Sequence, residues 1–167
     1  MIYTGIGSRN TPTKFLTKMT LYATELSKLG YTLRSGGAAG ADSAFEKGST
    51  KSDIFKSGDA KEWSFKEVIK HFPNDRNPET FNNWNSYTKG LMARNMMQVL
   101  GADGKIKSDF LICYAPTLDY TSSTCGGTGY AIRCALYYDI EVYNIFSEEQ
   151  DELLNSKYLG DLRADVW

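Results

Sequence analysis

Ser35-Gly36-Gly37-Ala38-Ala39-Gly40-Ala41-Asp42 follows the short apolar run Tyr31-Thr32-Leu33, and this stretch decides the fold. A strand that breaks into three closely spaced glycines and then a small-residue helix start leaves backbone open to close approach, because glycine has no Cβ and accepts positive φ. Unpaired amides at such a helix start face an anion, and the helix dipole adds to the attraction. A second segment of this kind, Gly126-Gly127-Thr128-Gly129, comes after another apolar run, Phe110-Leu111-Ile112-Cys113-Tyr114. Two glycine-rich strand-to-helix turns in one chain predict a phosphate-bearing ligand held at the end of a sheet.

Working outward, residues 1–6 read as a buried strand that ends in Gly5-Ile6-Gly7-Ser8-Arg9. Pro12 suits the first turn of a helix. Phe15, Met19, Tyr22, Leu26 and Leu29 then recur at spacings of four, three, four and three, a helical apolar stripe. Gly30 is placed to end it. A strand over 31–34 and a helix over 39–47 follow, with Gly48 closing the helix. This β-α-β-α order predicts a parallel sheet with right-handed crossovers. Residues 49–83 form a long connection or insertion, with a weak strand at 52–55, a short helix over 59–69 and a polar loop at 74–83. A helix over 84–100, a strand over 109–114, a helix over 127–138 and a strand over 140–145 complete the pattern. The tail, 147–167, starts with Glu148, Glu149, Asp151 and Glu152, where negative charge suits a helix start. The expectation is one domain over 1–167 of α/β class, with a doubly wound, mostly parallel, Rossmann-like sheet.

Composition narrows the function. The chain has 167 residues, 41% hydrophobic and 23% charged, which suits one globular domain with a proper core. A net charge of −1 argues against broad, non-specific nucleic-acid binding, which needs excess Lys and Arg to displace counterions. No apolar stretch nears the roughly 20 residues of a membrane span. The start of the chain lacks the pattern of a secretory signal. Cys113, Cys125 and Cys134 have no metal-like spacing and read as reduced thiols. A cytoplasmic protein without metal or cofactor is expected. Aromatic residues concentrate between Trp63 and Tyr87, either as a satellite core under the long connection or as a stacking wall for a base.

Several side chains are candidates for chemistry. Ser8 and Arg9 bring a hydroxyl and a guanidinium to the carboxyl end of the first strand, where ligands of open α/β sheets sit. Arg9 can fork onto a phosphate. The second turn is neither a dinucleotide fingerprint nor a Walker loop, since the lysine-threonine ending is absent. Asp42 either caps the amides around it or serves as a ribose ligand or general base. Glu46, four residues on, shares its helical face and is a second candidate catalytic carboxylate. Arg94 lies in an otherwise apolar helix beside Asn95 and needs an anionic partner, either Asp42 or a ligand phosphate. Thr128 adds a hydroxyl to the last glycine turn, and Arg133 lies about one turn inside that helix. His71 is the lone histidine, and nothing in the sequence pairs it with a nucleophile.

Gly7-Ser8-Arg9 with Pro12, then Ser35-Gly36-Gly37-Ala38 with Gly40-Ala41-Asp42, resembles the Rossmann-like core of the DNA-processing protein A (DprA/Smf) family. Ala93-Arg94-Asn95 with Gln98-Val99-Leu100-Gly101, and Gly126-Gly127-Thr128-Gly129 with Ala131-Ile132-Arg133, are similar to short phage and prophage members of that group. The wider superfamily, SLOG, also holds the LOG cytokinin-activating hydrolases and sensors of nucleotide-derived signals. The resemblance spans roughly residues 1–146. It implies a nucleotide-type pocket built from the two glycine turns and a homo-oligomer, dimer or higher. The LOG hydrolases carry Gly-Gly-x-Gly-Thr-x-x-Glu. Here Tyr130 replaces the threonine and Arg133 the glutamate, so that chemistry would fall to Asp42 or Glu46. Full-length DprA proteins carry further domains, for which 167 residues leave no room, which weighs against recombination-mediator activity. The expected ligand set is Gly7, Ser8, Arg9, Ser35, Gly36, Gly37, Ala38, Gly40, Asp42, Arg94, Asn95, Gly126, Gly127, Thr128, Gly129 and Arg133. The expected function is binding of a nucleotide or nucleotide-derived molecule, with sequestration of a signalling nucleotide in a phage-host setting as the role the resemblance suggests. N-glycosidic cleavage of a nucleoside monophosphate is the alternative. Single-stranded DNA binding is a further alternative, disfavoured by the charge.

Overall fold

The computed structural model describes residues 1–160. Five strands form one sheet, all parallel, in the order β3-β2-β1-β4-β5. They are β1 (Ile2–Gly7), β2 (Thr32–Ser35), β3 (Ser52–Ile54), β4 (Phe110–Tyr114) and β5 (Glu141–Asn144). Six helices connect and flank them: α1 (Thr13–Lys28), α2 (Ala41–Gly48), α3 (Glu62–Lys70), α4 (Ser86–Leu100), α5 (Gly126–Tyr137) and α6 (Glu148–Leu154). The expected Rossmann-like α/β architecture is the observed one. The weak strand at 52–55 is real and forms one edge.

Why the sheet is wound on both sides can be read from β4. Side chains alternate across a strand. Leu111 and Cys113 enter the core made with α4 and α5, while Phe110 and Ile112 enter the core made with α1 and α2. A strand apolar on both faces needs a helical layer on each. Phe15, Met19, Tyr22 and Leu26 of the α1 stripe are buried as expected. Leu29 is not: it lies past the last helical turn and is 60% exposed. The 84–100 helix starts later than its apolar pattern suggests, because the Asn85 side chain accepts the Thr88 amide at 2.8 Å and fixes the first turn there.

The long connection is packed, not loose. Phe72 stacks on Trp84 at 5.3 Å, and both meet Tyr130 edge-on. Phe81, in a short 3₁₀ turn, is buried against the same group. This is a satellite core, and the expected loop at 74–83 contributes to it. Nearby, Glu67 of α3 accepts hydrogen bonds from His71 (2.9 Å), Lys70 (3.2 Å) and the Tyr138 hydroxyl (2.6 Å). Burial opposes ionisation of Glu67, but these three donors outweigh it and hold its carboxyl below the usual range. Glu67 thus ties α3 to Tyr138, just past α5, and His71, at the end of α3 itself, supports Glu67 and packs edge-on against Tyr137 and Tyr138. Glu67, His71 and Cys134 offer ligand atoms within 4.8 Å of one another, and Glu67 Oε1 already accepts from both His71 and Tyr138.

Of the tail, residues 147–160 are described; 161–167 lie outside the described residues. Asp151 does more than complement a dipole. It is 1% exposed and takes Lys18 Nζ at 2.5 Å and the Tyr22 hydroxyl at 2.6 Å, which pins α6 to α1. Removing one member of a buried pair strands the other charge. Asp151→Ala is therefore expected to cost about 3 kcal/mol in urea denaturation, well above the loss expected for a surface acid. No described helix is long and apolar enough to cross a membrane.

Candidate functional site

The chain leaves β1 toward β2 and β3 on one side, and returns through β4 and β5 on the other. The loops after β1 and β4 must diverge there, and the crevice between them is where open α/β sheets bind ligands. A cavity of about 560 Å³ opens at that place. Its wall is drawn from five distant segments: the loop after β1, the turn leading into α2, one face of α4, the end of β4 with the loop that follows, and the first turn of α5.

The first segment supplies Gly7, Ser8 and Arg9, the last two exposed. The last supplies Gly126, Gly127 and Thr128. Cys125, at the cap position of α5, makes no side-chain bond to the helix amides. The Gly126 amide is given to the Ser123 carbonyl of the preceding turn; the first amides of a helix lack intrahelical acceptors, and beyond Gly126 those of Gly127 and Thr128 border the cavity wall. A Cβ at Gly126 would meet open space. α4 contributes Tyr87, Leu91, Arg94 and Asn95, which share one helical face, together with Met92.

The turn at 35–42 is arranged differently from the expectation. Only Ala38 and Asp42 of it line the cavity. The Ala38 amide donates to Asp42 Oδ2 at 3.2 Å, so the carboxylate occupying that part of the turn is the protein's own. Arg94 Nη1 donates to the Gly36 carbonyl, and a Cβ on Gly36 would sit 2.6 Å from the guanidinium. Gly40 has φ +84°, and a Cβ there would lie 2.7 Å from Arg9 Cα and 2.8 Å from the Ser8 carbonyl. These glycines let the second turn pack against Arg94 and the Arg9 loop. Ser35 and Gly37 do not line the cavity either: Ser35 is buried and donates to Glu46 at 3.3 Å, Gly37 is exposed elsewhere, and Glu46 does not reach the cavity.

The helix after β4 also divides its candidates. Asn95 Nδ2 donates to the Gly127 carbonyl at 3.3 Å and accepts from Arg94 Nε at 3.2 Å, which couples α4 to the α5 turn. Gly129 packs on Cys125. Arg133 donates to the carbonyls of His71 (2.6 Å) and Tyr120 (2.8 Å) and lies over the Tyr130 ring at 4.7 Å. It ties loops together and is absent from the cavity wall. Tyr87, at one end of the aromatic segment 63–87, lines the cavity, and so do Leu91 and Met92, which carry no such sign in the sequence. Their spacing reads as core; the one distinguishing fact is that Tyr87 is 59% exposed.

Asp42 is the most perturbed group in the site. Burial pushes its pKa up to about 6, against the pull of Arg94 and the Ala38 amide. Burial likewise draws Arg94 down, opposed by Asp42. A half-buried cation and a buried carboxyl that titrates near neutrality therefore share one cavity wall, an arrangement common at functional sites.

This geometry defines a Rossmann-like α/β domain with a crevice at its sheet switch point. No protein-family model and no curated protein matches the chain. Among solved structures it is similar to DNA processing protein A from Helicobacter pylori, described there as binding single-stranded DNA. That similarity has a TM-score of 0.54 at 18% sequence identity and covers 93% of this chain and 71% of the other. The fold is DprA-like.

Proposed function

We propose that the protein captures a nucleotide or nucleotide-derived small molecule in the β1/β4 crevice. The observation that carries this reading is the meeting of Gly7-Ser8-Arg9, Asp42 and the uncapped first turn of α5 on one cavity of about 560 Å³, a size that suits a small ligand. The phosphate belongs at the first turn of α5, where amides and dipole favour an anion and Arg9 can fork onto its oxygens. The base belongs against Tyr87, Leu91 and Met92, an apolar shelf with an exposed ring at its edge. Binding of nucleoside 5′-monophosphates by isothermal titration is the test. Arg9→Ala is expected to weaken the affinity roughly tenfold, the loss of one charge-assisted contact. Absence of heat with every nucleotide sinks the reading.

A second reading draws on the fold similarity: the same crevice would hold one unit of a single-stranded DNA. An oligodeoxynucleotide in the same titration separates the two. Binding that falls steeply with salt supports the DNA reading, and nucleotide binding with no oligonucleotide binding supports capture. Turnover, where present, would be N-glycosidic cleavage, with Asp42 as the carboxyl that lines the cavity and titrates in the range useful to an acid–base catalyst.

A further inference from the structure

Asp42 is 4% exposed, yet only one of its oxygens is accounted for. Oδ2 takes the Ala38 amide, while Oδ1 is buried and has no hydrogen-bond partner among the described residues. The nearby cation does not supply one. Arg94 gives its Nη1 to the Gly36 carbonyl and its Nε to Asn95, and no ion pair within 4.0 Å joins it to Asp42 among the described residues. Buried carboxylate oxygens are rarely left without donors. The residue lines the cavity, and the terminal torsion of an aspartate is soft, so the oxygen can turn to a donor there at low cost.

The chemistry of that donor is constrained. A carboxylate repels a phosphate, so the anionic part of a ligand stays on the α5 side. What a carboxylate accepts is a hydroxyl, and a ribose presents two adjacent ones where a deoxyribose presents one. Resting on the nucleotide reading above, we propose that Asp42 makes the cavity selective for ribonucleotides over 2′-deoxyribonucleotides. A site with an acceptor placed for a hydroxyl discriminates against the analogue that lacks it, because the acceptor is then left unpaired. The binding preference would thus oppose a DNA ligand.

Titration calorimetry at about pH 8 with the four common ribonucleoside 5′-monophosphates, their 2′-deoxy counterparts and inorganic phosphate tests this. The expected result is that every ribonucleotide that binds does so roughly ten- to a hundredfold more tightly than its deoxy partner. Asp42→Asn is expected to shrink that ratio to below about threefold. Equal affinities in the native protein overturn the inference and leave nucleotide capture standing. A preference that persists in Asp42→Asn overturns the assignment to Asp42. Phosphate binding as tightly as the nucleotides removes any role for the sugar. Silence with all probes overturns both proposals.

Discussion

Asp42→Asn is expected to raise the stability of the protein at pH 8 by on the order of 2 kcal/mol, and to leave it unchanged near pH 4. The folded pKa of about 6 lies above the ordinary 3.8 because burial disfavours the charged form. A carboxyl raised in this way favours folding fully below the unfolded value, and that contribution is lost as pH rises through about 6. Asparagine keeps an acceptor for the Ala38 amide but carries no charge to desolvate. Urea denaturation of both proteins at several pH values reads the effect. The native protein should lose stability between about pH 4 and pH 7 relative to the variant, and a gap independent of pH would show that the buried charge is not its source. A protein that keeps a destabilising carboxylate at the wall of this crevice fits the trade between stability and ligand recognition seen at functional sites.

Gly40→Ala is expected to cost about 3 kcal/mol and to lower the melting temperature by roughly 6–12 °C. Two effects add. The φ of +84° is poorly tolerated with a Cβ, and that Cβ would press on backbone, Arg9 Cα and the Ser8 carbonyl, which has little room to move. Displacing that loop also displaces Arg9, so nucleotide affinity should fall alongside stability. Gly126→Ala is the control: its φ of +55° with ψ −146° is also disfavoured with a Cβ, but that Cβ would meet nothing, so only the conformational cost, roughly 1–3 kcal/mol, should appear. Equal losses for the two would mean that the contact between the two turns contributes little.

Much of this molecule was legible in its residues. The run at 110–114 is apolar on both faces and could only be an interior strand; the α1 stripe gave a helix to within one turn at its end. The crevice residues Gly7, Ser8, Arg9 and Gly126 to Thr128 were also visible, because strand-end turns of small residues have few other uses. What the residues could not reveal was which amides were already taken. The turn at 35–42 has the composition of an anion nest, but Asp42 folds back onto Ala38 and Arg94 reaches Gly36 from a helix more than fifty positions away. Those contacts depend on tertiary placement. Arg133 shows the same limit: its helical position is compatible with the crevice, and the carbonyls of His71 and Tyr120 claim it instead. Tyr87 was legible only as one end of an aromatic segment with two open readings, since an aromatic ring at helical spacing is also the signature of a core.

The stacked rings of Phe72, Trp84 and Tyr130, together with the Glu67 tie, bear on how a guest would enter. A connection of this length often acts as a flap that orders on binding. Here it is a buttress, bolted to the helix whose first turn forms the crevice wall. Little conformational freedom is left in that wall for a guest to freeze, so association should carry a small ordering penalty and proceed without a slow closing step.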